Sequence, residues 1–311
     1  MRAIAFWTPT VAGLFCARTL LQNPARLKFF FGFLTFCFTA LTAVNLIFGH
    51  PPMFLGLHQH ALTGGLVLLS AGPVYLLLTG SKCIRLMSAS LLCLGYLLCF
   101  LAGSRFLVLL PFLLIPILSI TLGLRIRGTM IGFFGAAALA LAFFTMNPSK
   151  IPSYSNYEST FYRMEGLPAS WEIIKQHPLT GIGIYSSRTK FLKDFQPRFG
   201  MVSRDLYLSV VQRNVTPDNI YVSLAVGVGV PLALAYFVLL SRLLWCFAKR
   251  LVKKEIDGAT GSAILFPILA TMIHIGIYDG LFYPQICWFL HLLVGIGAWC
   301  GAIKTEAVNA D

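Results

Sequence analysis

The sequence predicts an all-α, polytopic membrane helix bundle of about eight or nine hydrophobic helices, with one large, mostly helical loop on the non-cytoplasmic side. Three observations predict it. Of the 311 residues, 57% are hydrophobic and 11% charged, and the mean hydropathy is +0.78; a soluble domain carries roughly 25% charged residues. The apolar residues gather in runs of the length a bilayer needs, roughly 20 residues for a hydrocarbon core of about 30 Å. Lys and Arg gather in short clusters between those runs, as the positive-inside rule requires of cytoplasmic loops. The formal charge of +13 is therefore a matter of membrane orientation, and no nucleic-acid partner is expected.

The runs read as spans near 28–49, 61–79, 84–102, 106–123, 128–146, 219–241, 262–279 and 284–303. Residues 4–20 are a weaker ninth, interrupted by Thr8, Pro9 and Thr10, and they show no clear signal-peptide cleavage site. Polar punctuation separates the others: Gly49-His50-Pro51-Pro52, Ser81-Lys82, Arg125-Ile126-Arg127 and the stretch 249–261. The chain is thus one integral membrane domain in three parts: N-terminal helices over 1–146, a loop over 147–218 and C-terminal helices over 219–311. Charge orients it. With the loop outside, Arg18, Arg26, Lys28, Lys82, Arg85, Arg125, Arg127, Arg242, Lys249, Arg250, Lys253, Lys254 and Lys304 share the inner face, while the short outer turns keep only Arg2 and Arg105. Long loops weigh little in this rule, so the loop is expected to face out. The eight cysteines lie in or beside apolar runs without metal-ligand spacing, which predicts free thiols rather than a disulfide framework.

A loop of this length is usually functional or disordered. This one holds nine basic and six acidic residues, for a net charge of +3, together with Trp171 and several apolar pairs. It is expected to fold. Pro168 suits the first turn of a helix running to about Gln176, with Trp171 and Ile174 on one face. Gly181-Ile182-Gly183 then breaks it, and 187–195 reads as a second short helix.

Chemistry is sought where polar residues meet the membrane. Arg105, in Gly103-Ser104-Arg105, lies between two apolar runs at the outer mouth, either as a site residue or snorkelling to lipid phosphate. Arg163 precedes Trp171 by eight positions, and His177-Pro178-Leu179-Thr180-Gly181-Ile182-Gly183 follows. Taken alone, its glycine pair is an ordinary turn. Thr216-Pro217-Asp218-Asn219-Ile220-Tyr221 opens the next span, where Pro217 and Asp218 would also serve as a helix cap. The next outer turn carries His274 and Asp279, equally suited to an interfacial anchor or a site. His58-x-His60 offers too few ligands for a closed metal site, and no Asp-x-Asp occurs, so no metal or cofactor is expected.

This ordered series resembles the O-antigen ligase and polymerase superfamily, over about residues 50–300. It runs from the outer-mouth Ser-Arg through Arg-x7-Trp and His-Pro-Leu-x-Gly-x-Gly to Asp-Asn-x-Tyr and a helix reaching Gly227-Val228-Gly229-Val230-Pro231. Ligases of that family usually carry His-Asn where this chain has Asp218-Asn219. Its members usually have further N-terminal spans, so the chain is expected to be N-terminally short.

The resemblance implies a membrane glycosyltransferase at the periplasmic face of a bacterial inner membrane, acting in cell-surface polysaccharide synthesis. Its donor would be a polyprenyl-diphosphate-linked glycan, and its acceptor the lipid A core or a second lipid-linked glycan. Such a reaction expels a diphosphate, which needs counter-charge that guanidinium groups supply and keep. Arg105 and Arg163 are the catalytic candidates for that role, with Asp218 as general base. Arg188, Arg198, Arg204, Arg213, Gly181, Gly183 and Asn219 are expected to bind diphosphate or glycan. The competing readings are a polysaccharide or lipid transporter and a catalytically degenerate scaffold of a polysaccharide complex.

Overall fold

The computed structural model describes residues 2–21, 24–48, 59–101, 117, 167, 170–183, 219–277, 281 and 284–300. Within them run nine bounded α-helices: α1 (Arg2–Leu21), α2 (Pro24–Phe48), α3 (Gln59–Leu69), α4 (Ala71–Thr79), α5 (Lys82–Leu101), α6 (Ile220–Val228), α7 (Val230–Val252), α8 (Gly258–His274) and α9 (Pro284–Cys300). A short helical stretch covers 170–176. The expected spans 106–123 (apart from Ile117) and 128–146, and the short helix expected at 187–195, lie outside the described residues.

Among the described residues, three stretches are long and apolar enough to cross a bilayer: Ala25–Ile47, Leu62–Thr79 and Val230–Val252. Three shorter apolar helices accompany them: Thr10–Leu20, Gly258–His274 and Gln285–Trp299. Large apolar side chains also cover the outside, among them Phe29, Phe36, Leu234 and Val238. Helices that are apolar all round suit a chain whose solvent is lipid. The chain reads as a multi-pass membrane protein.

Without a hydrophobic drive between helices in lipid, close packing through small residues holds such a bundle. The pairing of α1 with α9 is of this kind. A Cβ on Gly13 would stand 2.6 Å from the Trp288 carbonyl oxygen, and one on Gly295 would stand 2.7 Å from Ala17 Cβ. Farther along, the Arg18 guanidinium lies 5.4 Å from the Trp299 ring centroid. Residue numbers rise together along this seam, so α1 and α9 are parallel. The weakest expected span is therefore a full helix of 20 residues, running in the same direction as α9. Elsewhere α4 lies tight on α2: a Cβ on Gly72 would meet the Phe31 carbonyl oxygen at 2.6 Å. One turn on, Phe31 and Tyr75 stack at 4.4 Å.

Of two expected spans, one bends at Ser70 and one is broken at Gly229. The span at 61–79 divides at Ser70 into α3 and α4, where Pro73 has no N–H to return to the preceding turn. The span at 219–241 divides at Gly229 and runs on to Val252, because Arg242, Lys249 and Arg250 continue the same helix instead of ending it. An apolar cleft of about 220 Å³ opens between α2, α3 and α9, with Leu41, Leu62, Leu68, Ile286 and Phe289 among its walls.

Candidate functional site

The described part of the site is a joint between the large loop and the broken helix α6–α7. Gly229 holds φ +86° and ψ 158°, a region only glycine occupies readily. Pro231 follows in the first turn of α7. In an unbroken helix the Gly227 carbonyl would accept from residue 231, but proline has no N–H to give. Val230 points its own N–H elsewhere, which frees the Val226 carbonyl as well. Such groups left unmet in a bilayer cost several kcal/mol each.

The motif His177-Pro178-Leu179-Thr180-Gly181-Ile182-Gly183 meets them. Ile182 N–H donates to the Val226 carbonyl at 2.9 Å, and Gly183 N–H to the Gly227 carbonyl at 2.8 Å. In return Val230 N–H donates to the Pro178 carbonyl at 2.9 Å. The two backbones touch without room for a side chain. A Cβ on Gly181 would stand 2.6 Å from Gly227 C, Gly229 N and the Val226 oxygen; one on Gly229 would stand 2.2 Å from the Leu179 oxygen. Ile173 and Val226 are buried beside the joint, packed by Ile174, Ile182 and Val222.

This placement changes the reading of the glycine pair. Gly181 N–H donates to the His177 carbonyl at 3.0 Å, so the N–H groups of 181, 182 and 183 are all committed to protein carbonyls. The glycines permit close approach; they do not present a row of donors to a phosphate. The expected helix ending near Gln176 is described over 170–176. Trp171 is 56% exposed with Lys175 Nζ 5.9 Å from its ring centroid, and Ser170 and Ile173 take the buried face. Val226, which Ile173 meets, comes from a distant part of the chain, and so the sequence of the loop alone did not mark that face.

Asn219 caps α6. Its Oδ1 accepts from Tyr221 N–H at 3.0 Å and from Val222 N–H at 3.3 Å, the N-cap role expected one position earlier. Tyr221, the last residue of Asp-Asn-x-Tyr, fixes this end of α6 on both sides. Its hydroxyl donates to the Met272 carbonyl of α8 at 2.7 Å, and its ring lies 4.5 Å from that of Phe237 on α7. His274, in the last turn of α8, is buried against α3, where a Cβ on Gly64 would come within 3.7 Å of its Nδ1. Asp218, Arg105, Arg163, Arg188, Arg198, Arg204 and Arg213 lie outside the described residues, as do Asp279 and His58.

Deeper in the bundle a polar chain crosses three helices. His291 Nδ1 lies 2.6 Å from the Cys287 carbonyl, which only accepts, so Nδ1 carries the proton. In the neutral ring Nε2 then accepts from the Tyr236 hydroxyl at 2.8 Å. Thr10 Oγ1 completes the chain at 3.3 Å from Cys287 Sγ. Neither Tyr236 nor His291 carries a motif, and only the contact between α7 and α9 makes the pair visible.

The O-antigen ligase family model matches residues 65–237, more than half the chain, and the chain belongs to that family. The match runs from α3 through the loop motif, the Asn219 cap and the break at Gly229 into α7. The family comprises ligases and polymerases of cell-surface polysaccharide synthesis, enzymes whose substrates are lipid-linked glycans. No curated protein matches the chain.

Proposed function

We propose that this family member transfers a glycan from a polyprenyl diphosphate to a lipid or glycan acceptor, without a metal, at the periplasmic face of a bacterial inner membrane. The observation that carries this reading is the joint. It ties the loop, with Arg163 on one side of the motif and Arg188, Arg198, Arg204 and Arg213 on the other, to the helix that Asp218-Asn219 opens. The capped N-terminus of α6, at the other end of that nine-residue helix from the joint, adds the partial positive charge of its dipole beside Asn219.

In this reaction an acceptor hydroxyl oxygen bonds to the anomeric carbon as the bond from that carbon to the diphosphate oxygen breaks. The electron pair leaves with the diphosphate, where Arg105, Arg163 and the loop arginines balance the developing charge. The hydroxyl proton passes to Asp218. A carboxylate of ordinary pKa, about 3.9, is a weak base, so Asp218 needs partial desolvation at the membrane edge to serve. The cleft between α2, α3 and α9 offers the carrier's hydrocarbon chain an apolar wall.

Broken helices favour a second reading, a transporter, since discontinuous spans line many transport sites. Here the break argues less for it, because the carbonyls freed at Gly229 are occupied by the chain's own loop. The deciding experiment is reconstitution of purified protein with a lipid-linked glycan and acceptor, alongside complementation of a deletion strain scored on a polysaccharide gel. Wild type is expected to transfer glycan in the presence of chelator. Asp218→Asn is expected to reach the membrane in equal amount and to lose about 10²–10⁴-fold in rate. Full activity of Asp218→Asn removes the base assignment, and restoration of a chelator-silenced enzyme by a divalent cation removes the metal-free mechanism.

A further inference from the structure

We propose that the basic turn at the inner end of α7 is a docking surface for anionic phospholipid headgroups, with Lys249, Arg250, Lys253 and Lys254 as its cations. The proposal rests on the orientation that the charges predict and is independent of the transferase reading. Its starting point is Lys254, the single non-glycine residue with positive φ (59°) among the described residues. Glu255 N–H donates to the Arg250 carbonyl and Lys254 N–H to the Leu251 carbonyl, each at 3.0 Å. That pair of bonds is a Schellman ending, and Lys254 holds the left-handed position where glycine is usual. A lysine there carries backbone strain that glycine would avoid, and strain of this kind points to a use for the side chain.

The protein itself supplies little for these cations. Lys253 pairs with Glu255 at 3.9 Å, both side chains half-exposed, which is a weak interaction. Asp257 spends Oδ2 on the N–H and hydroxyl of Thr260, each at 2.9 Å, to cap α8. Among the described residues Lys249, Arg250 and Lys254 enter no ion pair. Two of the other inner-face cations are engaged by the protein: Arg18 lies over Trp299, and Arg85 donates Nε–H to the Gly80 carbonyl at 2.8 Å.

The geometry suits a membrane surface. Leu251 and Ile256 are buried, and a Cβ on Gly261 would stand 2.4 Å from Leu251 Cδ1, so α8 clamps the turn from behind. Arg242, Trp245, Lys249 and Val252 recur every three or four residues along one exposed face of α7, with Trp245 69% and Val252 63% exposed. An aromatic residue at headgroup depth followed by cations is the pattern of an interfacial anchor.

The test compares full-length protein in phosphatidylcholine nanodiscs with and without phosphatidylglycerol, reading the thermal midpoint and the phosphatidylglycerol retained. Wild type is expected to gain in midpoint with phosphatidylglycerol. Lys254→Gly is expected to melt higher than wild type in phosphatidylcholine alone, to gain less from phosphatidylglycerol, and to retain it roughly fivefold less well. Lys254→Asn, which tolerates positive φ without charge, is expected to lose the same lipid response. Equal lipid response in wild type and both variants overturns the proposal. So does an equal rise in wild type with soluble glycerol phosphate, which would make the surface a general phosphate site. A lower midpoint for Lys254→Gly in phosphatidylcholine overturns its premise of strain.

Discussion

Replacing Gly229 by alanine tests the joint directly. The backbone at φ +86° and ψ 158° is closed to a residue with a Cβ, at a cost of about 1–3 kcal/mol. The new carbon would also stand 2.2 Å from the Leu179 oxygen, so the strap must move and give up some of its three hydrogen bonds to α6 and α7. At about 1 kcal/mol each, these bring the expected loss to roughly 3–5 kcal/mol. A loss of that size corresponds to a thermal midpoint lower by on the order of 10 °C. Gly181→Ala acts on the same joint from the other side, with φ +61° and three backbone atoms at 2.6 Å. Because both substitutions open one contact, the double variant should lose less than the sum of the two. The assay is thermal unfolding of purified protein in detergent, with limited proteolysis of the loop over 147–218 as second readout. Gly65→Ala, which meets nothing within 4 Å, is the control and should melt at or above the wild-type midpoint. An unchanged midpoint and unchanged proteolysis in Gly229→Ala would refute the joint.

Three further outcomes follow from the same geometry. Asn219→Ala should cost about 1 kcal/mol through loss of the α6 cap, whereas Asn219→Asp keeps an accepting oxygen and should melt close to wild type; unfolding midpoints decide it. Tyr236→Phe removes the hydroxyl that His291 accepts from, and by the worth of hydrogen bonds between membrane helices it should cost about 0.6–1.7 kcal/mol; no loss of midpoint would count against that bond. Gly65→Phe fills the cleft between α2, α3 and α9, and should raise the KM for a long-chain polyprenyl donor more than for a short-chain one; equal KM for both would detach the cleft from the substrate.

Hydropathy alone located most of the described helices, because apolar length is a local property. Positions that depend on a distant partner were harder to read. Gly181 reads as a turn glycine and Gly229 lies inside an expected span; in the fold a Cβ on Gly181 would strike the backbone of 226–229, and one on Gly229 would strike Leu179 and Thr180. Arg242 looked like the end of a span, yet α7 carries it on to Val252. The run before Arg18, weakened by Thr8, Pro9 and Thr10, is a whole helix, and its Gly13 and Ala17 let α9 come close. Of the candidate site, the ordered motifs led to the right family, and in the structure the glycine pair lies at the joint while Asn219 caps α6.

The parallel seam of α1 and α9 also bears on how the protein is made. Thr10 and Cys287 meet across it although they are 277 residues apart. At a synthesis rate of about 5–20 residues per second, α1 waits roughly 14–55 s in the membrane before its mate emerges. During that interval its glycine and threonine face has no helix from this seam to cover it, so insertion of α1 calls for a temporary companion, whether lipid, translocon or chaperone. A ribosome stalled before α9 would leave that face of α1 without its partner.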